Sequence, residues 1–158
     1  MPETTEPWEE RLEQYLHEKG LRMTRQRMVI AREFFAITGH PNIDELCDRV
    51  RRADPSIGQA TVYRTLKLFV DSGLANQSRF GDGPARYESA DVDHHDHLIC
   101  VDCGRIVEFR NDTIEKLQEK IAASQGFEMT DHEMVIYGHC NAPACVARRN
   151  SRKSGADS

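Results

Sequence analysis

Ten consecutive residues constrain this chain most: His94, His95, Asp96, His97, Leu98, Ile99, Cys100, Val101, Asp102 and Cys103. They hold three imidazoles, two carboxylates and a Cys-x-x-Cys pair. Imidazole and thiolate are the preferred ligands of zinc and of other late first-row divalent metals. In a β-strand side chains alternate between faces. His95 and His97 then point one way and His94 and Asp96 the other, with Cys100 and Cys103 past the strand end. A second cysteine pair, Cys140 and Cys145, follows downstream. Two such pairs are the sequence form of a closed zinc site with four thiolates. Disulfide pairing is the competing reading. The chain shows no secretory h-region and no apolar run long enough to span a membrane. A reducing cytosol is therefore expected, and it disfavours disulfides.

A chain of 158 residues allows one or two small domains. With 39% apolar and 30% charged residues, two cores of roughly 80 residues each are marginal alone. A structural metal or dimerisation is expected to supply the missing stability. The net charge of −5 announces no nucleic-acid partner, so any DNA-binding face has to be local.

Residues 1–7 are acidic and proline-bearing and are expected to be disordered. Trp8, Leu12, Tyr15 and Leu16 fall at helical spacing and predict a helix from Trp8 to Lys19, with Gly20 just past its end. Thr24 is the N-cap of a second helix running to about Ile37, with Met28, Ala31, Phe34 and Phe35 inward. Asn42 and Glu45 form a capping box that opens a third helix. Its apolar face is Leu46, Cys47 and Val50, so Cys47 reads as a core thiol.

The fourth helix lies within Ser56–Gly73. Val62, Leu66 and Phe69 form its inward stripe. Gln59, Tyr63 and Lys67 form an outward one, with Arg64 beside it. An aromatic, an amide and cations on one exposed face suit a major-groove reader, although an ordinary solvated face has the same spacing. Leu74–Phe80 and Ala85–Ser89 flank the turn Gly81-Asp82-Gly83-Pro84, a hairpin. Helices followed by a hairpin give the order of a winged helix-turn-helix, assigned to residues 1–88.

Residues 89–93 read as a hinge, 94–146 as a second domain of order β-β-α-β, and 147–158 as a polar, basic, disordered tail. In the second domain Arg105–Phe109 is a short strand. Asp112 and Glu115 form a capping box, followed by a helix with Ile114, Leu117 and Ile121 at i, i+3 and i+7. Phe127–His139 is a long strand. The fold class is α+β, a winged helix followed by a small domain with a three-stranded sheet.

The stretches HHDHLICVDCGRIVEF (94–109), IGQATVYRTLKLF (57–69), GLRMTRQR (20–27) and YGHC (137–140) together resemble the ferric uptake regulator (Fur) family, in one collinear order. The resemblance implies a homodimeric, metal-dependent transcription regulator in the cytoplasm. It binds an A·T-rich palindromic operator through its N-terminal half and dimerises through its C-terminal half. It implies no enzyme activity and no membrane partner, and leaves tetramers open.

By that resemblance the ligands sort into three sets. Cys100, Cys103, Cys140 and Cys145 match a structural Zn(II) site. His40, Glu88, His95, His97 and Glu108 match the sensing site. His94, Asp96, Glu115 and His132 match an accessory site. The last two sets agree with the strand alternation above. For two of these residues the bland readings stay open: Glu115 as a helix cap, His132 as an ordinary strand residue. His17 and His139 receive no role. On the DNA side the resemblance points to Arg22 in a narrow minor groove, to Arg27 and Thr61 on phosphate, and to Tyr63 and Arg64 at base edges or phosphate. Gln59 is left open.

The sensing set offers nitrogen and oxygen only, which suits Fe(II), with Mn(II) or Zn(II) able to substitute. Peroxide-sensing relatives typically carry aspartates where Glu88 and Glu108 stand, and zinc-sensing ones usually add a cysteine. Iron is therefore the first expectation for the cue. Two readings from other classes remain: a zinc hydrolase or deaminase, and a zinc-stapled interaction module. The first lacks any His-Glu-x-x-His, any His-x-Glu with Pro-Cys-x-x-Cys, and an obvious substrate loop. The second predicts that no duplex is bound.

Overall fold

A computed structural model describes residues 7–155. The segment expected to be disordered falls outside them except for Pro7, which opens the first helix. The chain divides into two compact units, one ending at Val92 and one beginning at Asp93.

The first unit holds α1 (Pro7–Glu18), α2 (Arg25–Phe35), α3 (Ile43–Ala53), α4 (Gln59–Asp71), β1 (Ala75–Arg79) and β2 (Ala85–Ser89). Thr24 caps α2 by accepting from the Arg27 amide. The helix stops at Ala36, short of the expected Ile37, and it buries Ile30 with Ala31 and Phe34 while Met28 and Phe35 stay partly exposed. Asn42 and Glu45 form the expected reciprocal capping box of α3. Leu46, Cys47 and Val50 are buried, and Cys47 is a core thiol whose burial pushes its pKa up. Val62, Leu66 and Phe69 carry α4 inward. The β1–β2 hairpin pairs in antiparallel register from Ala75↔Ser89 to Arg79↔Ala85. Four helices and the hairpin share one apolar core, the helix-turn-helix with its wing.

The second unit holds β3 (Asp96–Cys100), β4 (Ile106–Phe109), α5 (Asp112–Ser124), β5 (Val135–Gly138) and α6 (Pro143–Ser154). Its sheet has the order β4-β3-β5, with β3 antiparallel to β4 and parallel to β5.

Four details depart from the sequence reading. The His-rich strand starts only at Asp96, leaving His94 and His95 ahead of it, and it includes Cys100. The strand expected over Phe127–His139 is confined to Val135–Gly138. Its partner β3 offers only His97–Cys100 for pairing, so the segment before Val135 has no ladder to join. The cap of α5 is Asn111, whose side chain accepts from the Thr113 and Ile114 amides. Glu115 therefore sits one position too late for a capping box. Finally, the expected basic tail is helical through Ser154. Pro143 at its first turn presets the backbone, and Cys145 is buried two residues on.

Candidate metal centres and nucleic-acid face

Cys100 closes β3 and Cys103 ends the tight turn after it. Gly104, at φ 74°, donates to the Cys100 carbonyl at 2.9 Å. Only a residue tolerant of left-handed backbone completes that turn cheaply. Cys140 follows β5, and Cys145 lies in the first turn of α6. The Sγ atoms of Cys100 and Cys145 are 3.9 Å apart, and those of Cys103 and Cys140 are 3.8 Å apart. Four sulfurs about 2.3 Å from a tetrahedral zinc stand about 3.8 Å from one another. All five cysteines are free, so the disulfide reading fails.

The amides of Asp102 and Cys140 both donate to Cys100 Sγ at 3.4 Å. Backbone donation from Cys140, then Cys103, pulls the Cys100 thiol down to about 6. Its neighbour Cys145 is pushed up to about 12 by hydrogen bonds with the Cys140 and Cys103 side chains and by burial. Four thiols this close cannot all ionise alone, and a dication among them removes the conflict. The donor set therefore fits a closed thiolate site.

A second cluster lies in the same unit. His94 Nε2 and His132 Nε2 are 2.9 Å apart, and Glu115 offers a carboxylate within the same ligand sphere. Asp96 Oδ1 lies 3.4 Å from His94 Nε2 and 3.6 Å from His132 Nε2. Asp96 is 1% exposed, yet neither of its carboxylate oxygens has a hydrogen bond; Glu115 Oε1 has none either, though Arg110 Nε lies 3.6 Å from it. A buried carboxylate without donors is costly. A cation held by these four residues would satisfy it. His132 takes its place from an irregular segment, and Glu115 from α5 with no capping duty.

The residues expected at the sensing site fall in both units. In the first, His40 Nε2 lies 2.9 Å from Glu88 Oε2. Gly39, at φ 113°, turns the chain into His40. The Tyr87 amide donates to the Pro41 carbonyl at 2.9 Å, which ties this loop to β2 beside Glu88. In the second unit the rings of His95 and His97 meet edge to face at 4.8 Å, and Glu108 Oε1 lies 3.8 Å from His95 Nε2. His97 and Glu108 are cross-strand partners.

On α4, Tyr63 is 56% exposed, and Gln59, Arg64 and Lys67 are exposed beside it. Arg64 reaches back to Thr61 Oγ1 at 3.4 Å. Arg27 donates to the Arg22 carbonyl, which sets the loop carrying Arg22 against the start of α2. The sequence reading gives His139 no role and places Arg149 in a tail. In the structure both bond Asp102, between the two cysteines of the first pair. A helical reading of 143–154 would have put Arg149 one turn after Cys145 and exposed that link.

Comparison with known proteins follows the same lines. The model of the Ferric uptake regulator family matches residues 18–137. The chain is 46% identical over 127 residues to a ferric uptake regulation protein from Rhizobium leguminosarum bv. viciae, covering 80% of this chain and 89% of that one. Among solved structures it resembles a zinc-bound manganese uptake regulator, with TM-score 0.66 and 46% identity, over 82% of this chain and 98% of that one. A Helicobacter pylori ferric uptake regulator, described as having three functional metal-binding sites, matches with TM-score 0.80 and 27% identity over 87% and 90% of the two chains.

Proposed function

This chain belongs to the ferric uptake regulator family, and from that premise we propose that it is a cytoplasmic, Fe(II)-responsive repressor of iron-homeostasis genes. The family's members are metal-binding transcription regulators that bind DNA as dimers and are not enzymes, which removes the hydrolase reading. Among the described residues no helix is long and apolar enough to cross a membrane.

The observation that carries the reading is the outward face of α4, with Tyr63, Arg64, Lys67 and Gln59 exposed on a winged helix. In this proposal Tyr63 and Arg64 meet base edges or phosphate, Thr61 and Arg27 hold phosphate, and Arg22 enters an A·T-rich minor groove.

Cys100, Cys103, Cys140 and Cys145 hold structural Zn(II). Their four thiolates leave no open position, so they perform no chemistry. His40 and Glu88 supply one part of the sensing site, and His95, His97 and Glu108 the other. A divalent ion bound there would supply positive charge and coordination bonds. If these residues of both units held it together, it would favour one mutual arrangement of the units, in which the two recognition helices of a dimer would fit successive major grooves. His94, Asp96, Glu115 and His132 form the accessory site. The dimer face comes from the second unit. Val107, Leu98 and Ile136 form one exposed row across the sheet, and Leu117 and Ile121 on α5 are exposed as well. A helix of 13 residues with none buried calls for a covering surface.

Mn(II) is the second reading of the cue, favoured by the 46% identity to the manganese uptake regulator. The test is an anaerobic titration of protein that retains its zinc with Fe(II), Mn(II) or Zn(II), followed by anisotropy of a labelled A·T-rich palindromic duplex at fixed salt. Tight binding that needs a second metal is the expected result. The ion effective at its cellular concentration names the cue. Replacing both Tyr63 and Arg64 with Ala should abolish the signal. Equal affinity with and without added metal would break the gating. No duplex binding under any condition would end the repressor reading.

A further inference from the structure

The side chains around the four sulfurs are arranged in a way the ligand set does not explain. Asp102 lies between Cys100 and Cys103, and its side chain is 6% exposed. A buried carboxylate beside four thiolates is repulsive, because thiolates around one dication already carry excess negative charge. Two cationic or donor groups meet it. His139 Nδ1 donates to Asp102 Oδ2 at 3.0 Å, and Arg149 donates to the same oxygen through Nη1 at 3.0 Å. That Arg149 nitrogen also donates to the Cys140 carbonyl at 3.0 Å.

These partners sit where the ligands sit. His139 immediately precedes Cys140, and Arg149 follows Cys145 by one helical turn. Each segment that carries a thiolate is therefore bound to the other two by a bond that does not pass through metal.

We propose that Asp102, His139 and Arg149 are positioning residues that lock the structural zinc in place, with Arg149 making the fold of α6 and the retention of zinc one event. This rests on the four-thiolate zinc reading. Zinc leaves such a site only when several thiolates let go and their segments separate. The Asp102 network keeps a released thiolate close enough to rebind before the next one leaves. It also balances the excess negative charge, mainly through the guanidinium, which holds its charge at any physiological pH. Outer partners of metal ligands are typically worth about 10–100-fold in metal affinity.

The experiment uses the full chain carrying its zinc. Release to an excess chromogenic chelator is followed for the parent, Arg149→Ala, Arg149→Lys, Asp102→Asn, the double variant, and Arg152→Ala as a control on the same helix. Release should quicken about 10–100-fold for Arg149→Ala and for Asp102→Asn. Arg149→Lys should recover part of the loss, and Arg152→Ala should match the parent. The double variant should release zinc no faster than the faster single one, because the two groups act through each other. Amide exchange over 146–154 should rise in step with zinc release, with Trp8 fluorescence unchanged. If Arg149→Ala frees α6 to exchange but holds zinc like the parent, or if both singles match the parent, the proposal is overturned. A parent that holds no zinc, and shows no thiolate-to-metal absorption when loaded with Co(II), would instead overturn the zinc reading beneath it.

Discussion

The two units of this chain are stabilised by different means. The first encloses an apolar cluster drawn from all four helices and both strands, from Leu12 and Leu16 through Phe34, Val50 and Phe69 to Tyr87. In the second, the only buried hydrophobic side chains among the described residues are Ile99, Cys100 and Cys145, and two of these are proposed ligands. Its helix α5 has no fully buried residue, and the Val107, Leu98 and Ile136 row is exposed. A unit of this size cannot hold itself on so little apolar burial. The lesson is that the proposed metals and dimer partner would complete its fold, whereas the winged helix is closed by its own apolar core.

The sharpest way to break this contrast is to remove the proposed zinc. Structural zinc contributes about 10–16 kcal/mol in small zinc domains near neutral pH. Stripping it, or replacing Cys145 with Ser, should unfold the second unit and leave the first intact. Amide exchange should show β3 through α6 losing protection while α4 keeps its own. Protection retained in both units would mean that the second unit has a core of another kind. The reverse test is Phe69→Ala. Phe69 is fully buried and packs against both Phe34 and Phe35. The cavity should cost about 3–5 kcal/mol. Denaturation followed by the single tryptophan, Trp8, which stacks on Phe35 at 4.7 Å, should report the loss, with zinc content unchanged.

The same contrast explains what was legible in the sequence. In the first unit periodicity reads directly as burial: Leu46, Cys47 and Val50 point inward as their spacing demands, and the capping box at Asn42 is where it is expected. In the second unit Leu117 and Ile121 share the same helical spacing, yet both are 56% exposed. The spacing marks an apolar face, and the surface proposed to cover it belongs to a second copy of the chain. The ligand types are legible because their chemistry is local to the residues. Element edges around them are not. The apolar run at Met134–Tyr137 suggests a long strand, but β3 offers it only four partners. Arg149 is unreadable until Pro143 is recognised as a helix start, since charge and polarity alone describe a tail.

If the second unit is completed by a partner, charging that face should separate the copies. Leu117→Lys with Ile121→Lys places two cations on an apolar interface. Central interface side chains cost about 2 kcal/mol or more when lost, and every 1.4 kcal/mol is about tenfold in dissociation constant. Sedimentation should therefore show monomers at concentrations where the parent is dimeric, with zinc still bound. A dimer unaffected by both charges would move the interface elsewhere.

The smallest effect expected comes from the first unit, where a single charged residue adjusts a fold already secured by its core. Asp54 ends α3, and its Oδ1 accepts from the Ser56 hydroxyl at 2.5 Å and the Ser56 amide at 3.0 Å. Arg25, at the start of α2, lies 2.9 Å from its other oxygen. These contacts, the Ser56 hydroxyl foremost, hold the Asp54 carboxyl below its ordinary value. A carboxyl with pKa lowered on folding stabilises the fold above its unfolded value, about 3.9. That contribution is lost as pH falls through the lower folded value. Asp54→Asn should therefore lower the Trp8-reported midpoint slightly at neutral pH and flatten its decline in acid. Arg25 is largely exposed, so its ion pair adds little in salt. An unchanged acid slope would mean that these contacts do not favour the ionised carboxyl over the protonated one. The winged helix would then owe nothing measurable to the charge of this carboxylate, and the contrast with a unit proposed to be held by metal would be sharper still.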